Sequence, residues 1–529
     1  MIPDPIAEGL ANGWSAVDAS GLSENKTLET DVVIVGTGAG GGMCAEVLCA
    51  AGFKVVLIEE GPLRSSRDFT MRESFAYPEL YQESASRKTK DKAINILQGR
   101  CVGGGTTVNW TSSFETPPPT LAHWQKHHDV AGCDEAAMKP WFDKAFARLG
   151  IHQWPVPPNP NNAALQRGAE QLGLSFEIMQ RNVRGCANLG YCGMGCPINA
   201  KQSMLITTIP AALDSGAALY SRTRAVRLMF SGDRVQGVVC AALDERGVFP
   251  TGVQIEVRAK AVVLAGGAIG TPALLLRSGT PDPYQLAGKR TFLHPVTAAT
   301  AFFEEEIRPF EGAPQSIYSD EYLWPEGADG PMGFKLEVPP LHPVISATVL
   351  DFPGSAHHTA MARLAHIQGM LALCRDGFHP DSPGGQVNLR TDGSPLLDYP
   401  FTDFLRDGFR RSLKAMVEIQ FAAGAKEVVP LHRHSQPYKT WAEAKKALDA
   451  LPMDPTMVRL FSAHVMGGCP LGEDPRQALV NSEGRHHHLQ HLWVMDGSVF
   501  PTSIGSNPQV SIYGMTLKNA EALVKSLKS

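Results

Sequence analysis

The feature that most constrains this chain is a strand, a glycine turn and a helix near its start. Residues 31–35, Asp-Val-Val-Ile-Val, are a short apolar run of the kind buried in parallel sheets. Gly36, Gly38 and Gly41 follow in the G-x-G-x-x-G spacing, and the next stretch puts Ala45, Leu48 and Cys49 on one helical face. A second buried strand is predicted at 54–58, with Glu59 at its end. In such a unit Gly36 permits a tight turn, Gly38 lets the backbone approach a pyrophosphate, and Gly41 lets the helix pack closely on the strand. The helix N-terminus offers free N–H groups and partial positive charge to phosphates. Glu59, roughly twenty residues on, can bond both hydroxyls of a ribose, and its charge disfavours a 2′-phosphate. These residues predict an α/β fold with a Rossmann-like dinucleotide-binding domain. They do not separate FAD from NAD.

A second glycine block narrows the reading. Residues 99–109, Gly-Arg-Cys-Val-Gly-Gly-Gly-Thr-Thr-Val-Asn, contain three consecutive glycines that allow a backbone to lie flat against a planar ring. This block resembles the first signature of the glucose-methanol-choline (GMC) oxidoreductases. Three further segments resemble the same family in the same order: Gly267–Gly279, Ser462–Gly468, and Asp496–Ser503 with Asn507-Pro508. There are departures. Thr280 and Pro281 follow the second signature, and the aromatic Phe114 comes one residue late. Gly-Gly-Gly-Thr-Thr-Val-Asn-Trp and Cys-Gly-Met-Gly-Cys are most similar to the long-chain alcohol oxidases and related bacterial dehydrogenases.

The resemblance implies a Rossmann-like FAD-binding domain under a substrate-binding cap domain that contains an antiparallel sheet. Gly36, Gly38, Gly41 and Glu59 would hold the ADP half, with the backbone of Val226 at the adenine and Ala265 and Gly266 nearby. Gly104, Thr106 and Asn109 would face the isoalloxazine, and Asp496 would bond the ribityl chain. Some relatives attach FAD to a histidine in the glycine block. No histidine lies between Gly99 and Ala122, so non-covalent FAD is expected.

Alcohol oxidation needs a base for the hydroxyl proton and a hydride acceptor facing the carbon. Histidine suits the base role because its ordinary pKa lies near working pH. His464 occupies the family's base position, and Asn507 matches its second active-site residue. By spacing alone, His464 reads equally as a satisfied core histidine. Ser506 or Asn507 reads as an N-cap for a helix beginning at Pro508 and running from Gln509 to Leu527. Its N-terminus would stabilise negative charge before it.

Cys186, Cys192 and Cys196 form a C-x5-C-x3-C loop ending in Pro197. Three thiolates with glycines between them suit a [3Fe-4S] cluster, or zinc with one outside ligand, and equally a structural thiol loop. A cluster would pass electrons from flavin to an external acceptor. Oxygen, a quinone and a cytochrome all stay open as that acceptor. The polar residues His486, His487, His488 and His491 read as a turn.

The 529 residues allow two lobes, and a net charge of -5 gives no reason to expect a nucleic-acid partner. No run is long and apolar enough for a membrane span. The start, MIPDPIAEGLANGW, lacks the pattern of a secretory signal, so a cytoplasmic protein is expected, with export on a partner subunit also compatible. Residues 1–30 read as a polar arm. Residues 31–125, 215–300 and 463–529 are assigned to a discontinuous FAD-binding domain, and 126–214 with 301–462 to the cap. Residues 357–374 place Met361, Leu364, Ala365 and Leu371 at helical spacing. The cap is rich in apolar residues and shows no charged cluster. With the resemblance, this points to a hydrophobic, primary, long-chain alcohol as substrate. Sugar, polyol or sterol dehydrogenation and a lyase on the same fold are the alternatives.

Overall fold

The computed structural model describes residues 2–350 and 352–529. Its first sheet has eight strands and is built around Lys26–Val35 and Pro250–Leu264, which run parallel. Val55–Ile58 continues the sheet in parallel on the other side of Lys26–Val35, followed by Ala218–Ser221 and Ser15–Asp18. The 15-residue strand Pro250–Leu264 serves two partners on its far edge. Its first half pairs antiparallel with Arg234–Leu243, and its last three residues pair parallel with Leu492–Val494. Val32, Val33 and Ile34 and their neighbours Val262–Leu264 are fully buried, as the unbroken apolar runs require.

The expected arm at 1–30 is not an arm. Ser15–Asp18 forms the edge of this sheet, and its first long strand already starts at Lys26. The sequence hid this because 26–31 alternates polar and half-buried residues, which carries no apolar run.

The second large sheet runs in the order Ile94–Ile96, Leu460–Ser462, Val296–Phe302, Ile367–Cys374, Phe334–Glu337, Ile317–Ser319 and Glu177–Ile178, and most pairs are antiparallel. Helix Asp403–Ala422 covers one face with Leu405, Phe409, Leu413 and Met416, spaced three to four residues apart. Ile94–Ile96 and Val296–Thr300, assigned by sequence to the nucleotide-binding domain, pair in this cap sheet. The expected helix at 357–374 is also corrected. A helix covers only Gly354–Ala362, and Ile367–Cys374 is a central strand. Being buried on nearly every residue, that strand lacks the alternation of a half-buried strand, and the helical spacing that Leu371 keeps with Met361 and Leu364 is a coincidence of sequence.

A smaller sheet joins the halves: Pro395–Asp398, Gly385–Leu389, Lys289–Leu293 and Val465–Gly467. The chain passes from it into the cap sheet at two places that lie side by side. Leu293 pairs with Val465 on one side of the crossing, and Val296 with Phe461 on the other. His294 and His464 therefore meet at the same junction.

Candidate active site

One cavity of about 960 Å³ runs between the two sheets, and both glycine blocks, Val226, Asp496, His464 and Asn507 line it. The first glycine turn is held by backbone contact. Gly36 has φ of +101°, and a side-chain carbon there would lie 2.2 Å from the Ala265 carbonyl. A carbon on Gly41 would lie 1.9 Å from the Gly36 carbonyl. Gly40, not singled out in the motif, is tighter still, at 1.6 Å from the Met495 carbonyl. At Gly38 a side-chain carbon would meet nothing nearer than the Gly104 Cα, at 3.9 Å, so this glycine faces open cavity at the start of helix Ala39–Ala50. Gly104, at φ +53°, brings the second glycine block against the first.

Glu59 is buried and ties these loops together. One oxygen accepts from the Thr37 backbone (3.1 Å) and hydroxyl (2.6 Å), the other from Gly61 N (2.9 Å). Thr37 Oγ1 in turn accepts from Gly103 N. Burial pushes the Glu59 carboxyl above its ordinary range. Its neighbour Glu60, which sequence reasoning passed over, also lines the cavity and pairs with Arg100 and Arg224. Val226 sits where the register between Thr223–Ser231 and Arg234–Leu243 shifts, and it has no partner in that ladder. Such a bulge turns backbone groups outward. Its carbonyl already accepts from Arg277 Nε at 3.2 Å.

Asp496 Oδ2 accepts from Gly267 N and Thr271 Oγ1, at the N-terminus of helix Gly267–Ser278, and Oδ1 accepts from Ser498 N. A carboxylate offers about four acceptor positions, so a further hydroxyl can still be taken. Thr106 lines the cavity, but its hydroxyl is committed to the Gly103 carbonyl and to Met204 N. Asn109 donates to Gln509 Oε1 at 2.8 Å and keeps a buried Oδ1 with no partner. An orphaned acceptor at the end of the second glycine block, an open helix N-terminus and a cavity spanning both fit a dinucleotide carrying a planar ring, as FAD does.

His464 is half-buried against the fully buried His294, with its Nδ1 3.0 Å from Nδ1 of that ring. His294 Nε2 accepts from the Gly505 backbone at 3.1 Å. A neutral His294 therefore carries its proton on Nδ1 and donates it to His464. That leaves His464 with its proton on Nε2, which makes no hydrogen bond among the described residues. Burial pulls His464 down to about 4 and His294 well below its ordinary value, so both rings are neutral at pH 7. The proline at 508, and not Asn507, occupies the cap position of helix Gln509–Lys528, and no side chain caps it. Asn507 instead donates through Nδ2 to Glu337 Oε2 at 3.3 Å, and its Oδ1 has no partner among the described residues.

Glu337 was missed by sequence reasoning, as were His294, Gln315 and Gln509. Gln315, from its own loop, also donates to Glu337 Oε2. Burial pushes this carboxyl up to about 7, against the pull of Lys335. The signal was available: Lys335 and Glu337 are charged residues at alternate positions in a strand whose residues are all buried.

The cysteine loop lies directly behind the second glycine block. Lys201 Nζ donates to the carbonyls of Thr107, Asn109 and Cys192, and Tyr81 OH donates to Gly193 O at 2.6 Å. Among the described residues, the sulfurs of Cys186, Cys192 and Cys196 do not all lie within 4.8 Å of one another. Arg181 donates to Cys192 Sγ at 3.5 Å, and neither Arg181 nor Lys201 has a carboxylate partner among the described residues. No helix among the described residues is long and apolar enough to cross a membrane.

Comparison with known proteins agrees with this geometry. The N-terminal GMC oxidoreductase profile matches residues 77–296 and the C-terminal one residues 380–516. A long-chain-alcohol oxidase of Arabidopsis thaliana is 28% identical over 95% of this chain and 68% of its own length. An uncharacterized GMC-type oxidoreductase of Sinorhizobium fredii is 28% identical over 95% and 96%. Among solved structures, formate oxidase superposes with a TM-score of 0.70 at 16% identity, covering 96% of this chain and 100% of that one. Pyridoxine 4-oxidase from Mesorbium loti gives 0.68 at 19%, covering 93% and 98%, and these two show the fold. The chain belongs to the GMC oxidoreductase family and is an FAD-dependent oxidoreductase.

Proposed function

We propose that this protein oxidises a hydrophobic primary alcohol of long chain to the aldehyde. The observation that carries this is the division of the cavity. Its charged lining residues come from the nucleotide-binding segments and, as Arg390 and Asp392, from a loop of the bridging sheet, whereas the cap contributes Val296, Leu341, Ile345, Val349, Leu371 and Phe461 beside the uncharged Thr300 and Gln315. A substrate with an apolar body and one hydroxyl matches that lining. The likeness to long-chain-alcohol oxidases supports the same class.

FAD, when bound, supplies the hydride acceptor and is held without a covalent bond, for the second glycine block carries no histidine and its Cys101 is buried and protonated, its thiol pushed up to about 12 by burial. The substrate hydroxyl is held between His464 Nε2 and Asn507. His464 takes the hydroxyl proton on Nε2 as the alcohol is oxidised, and Asn507 holds the oxygen. For His464 to accept there, its own proton must sit on Nδ1 and face His294, which sets the Gly505 N–H against a protonated nitrogen. Losing that bond costs on the order of 1–3 kcal/mol, so the accepting tautomer is within reach. Two coupled rings titrate together, and the pH dependence belongs to the pair. Helix Gln509–Lys528 points its uncapped N-terminus toward Asn507, which favours negative charge on that side.

A second feature supports an iron–sulfur centre that Cys186, Cys192 and Cys196 would hold and that would supply electron transfer away from the flavin: the buried cations Arg181 and Lys201 beside the loop favour an anionic group there. Iron and sulfide analysis tests it. Equal iron in wild type and Cys192→Ser removes it. The alcohol reading is tested by adding primary alcohols of increasing length to the holoprotein without oxygen. Bleaching of the flavin bands that improves with chain length is expected. Bleaching only by sugars, polyols or sterols replaces the substrate class.

A further inference from the structure

Helix Pro118–His128 carries His123 and His127 one turn apart, so both rings project from the same face. Their ring centroids lie 4.5 Å apart. Facing them is Asp329, in the loop between Ser319 and Phe334, with Oδ1 3.5 Å from His123 Nδ1. One ligand atom from each of the three lies within 4.8 Å of the other two, and among the described residues no other group of histidine, cysteine or acidic side chains does this. His123 is buried, while His127 and Asp329 are open to solvent, so an ion can enter and a water can complete its shell.

We propose that His123, His127 and Asp329 form a binding site for a divalent transition-metal ion of the zinc class. Two imidazoles and one carboxylate are the donors zinc takes, whereas magnesium and calcium prefer oxygen throughout. Three protein ligands leave one tetrahedral position for water. The guanidinium of Arg375 lies nearby, yet it is turned to the loop, donating to the carbonyls of Ala328 (2.8 Å) and Leu323 (3.3 Å), and is packed over Trp324.

The ion would clamp two elements that both adjoin the catalytic junction without touching it. The helix is bonded to the segment before Asn507 through Thr120 Oγ1 to Ile504 O (2.8 Å) and Trp124 Nε1 to Thr502 Oγ1 (2.7 Å). The loop reaches the same segment through Trp324, whose ring lies against Gly505, the residue that donates to His294. The site thus joins the cap loop to the helix beside the catalytic histidines and serves to stiffen that junction.

The test uses tag-free holoprotein stripped with a chelator and then given zinc chloride. After gel filtration, wild type should retain one equivalent of zinc more than either His127→Ala or Asp329→Asn. Zinc should also raise its Tm by a few degrees and leave the Tm of both variants unchanged, because binding to the folded state alone stabilises it. Both replaced side chains are exposed, so the variants fold without the ion. Zinc bound by the cysteine loop is the same in all three proteins and cancels in the difference. Equal zinc content, or an equal Tm shift in wild type and both variants, overturns the site.

Discussion

The two walls of the cavity are made in different ways. On the nucleotide side, backbone packs on backbone: Gly36 on Ala265, Gly41 on Gly36, Gly40 on Met495. On the cap side, side chains of an antiparallel sheet, among them Val296 and Leu371, meet the space together with Leu341 from the loop after strand Phe334–Glu337. The first wall has no room to give, since a carbonyl oxygen cannot rotate away as a side chain can. The second is set by volume and can be reshaped a methylene at a time. The proposed base His464 sits with His294 at the seam, where the small bridging sheet hands its strands to the cap.

If the contrast holds, the largest effect comes from one added methyl group on the nucleotide wall. Gly40→Ala would place a carbon 1.6 Å from the Met495 carbonyl, next to Asp496. The purified variant should be colourless or fail to fold. A yellow protein with full flavin content would show that this wall yields as the cap does.

The next effect falls on the seam. His464→Ala should keep its FAD, because His464 has no bond to either glycine block, and should slow flavin reduction by alcohol about 10²–10⁴-fold. Loss of flavin instead would make His464 part of the wall. An unchanged rate would remove it as the proton acceptor.

Glu337 tests the seam from behind. Ionised, it holds Asn507 by Nδ2 and turns the Oδ1 end away from itself. Its pKa is raised to about 7, so the ionised form is lost as pH falls through about 7. We expect kcat/KM to fall with it. Glu337→Gln should lose about tenfold to a hundredfold, as for a hydrogen bond to a charged group, and the inflection near pH 7 should vanish. An inflection that survives in the variant belongs to another group.

The same contrast explains what was legible in the sequence. A backbone-made wall must use glycine, and glycine at fixed spacing is visible, so Gly36, Gly38, Gly41 and Gly104 could be named and the parallel strands beside them placed. Gly40 escaped because the motif assigns no role to its position; the Met495 carbonyl that demands it lies just past a strand more than four hundred residues away. A cap wall has no such mark. Ile367–Cys374 reads as helix because Met361, Leu364 and Leu371 happen to keep helical spacing, and only the pairing with Val296–Phe302 and Phe334–Glu337 makes it a strand. His294 was invisible as a site residue for the same reason: its meaning lies in partners distant along the chain.

The smallest expected effect lies on that misread strand. Leu371 is half-buried and its side chain borders the cavity away from the glycine turns. A helix through 357–374 would give this residue no fixed place on the wall, whereas the strand sets it beside Ala298, which also lines the cavity. Leu371→Ala should therefore leave FAD content and the turnover of short alcohols unchanged and improve the fit of longer ones. Each methylene newly accommodated contributes about 0.8 kcal/mol, roughly fourfold in kcat/KM. The optimum should move by one or two carbons, read from rates across a series of primary alcohols. If the optimum stays and all chain lengths slow together, Leu371 supports the wall without shaping it, and the choice of substrate length is made elsewhere in the cap, with Ile345 and Val349 at the lining as the next positions to replace.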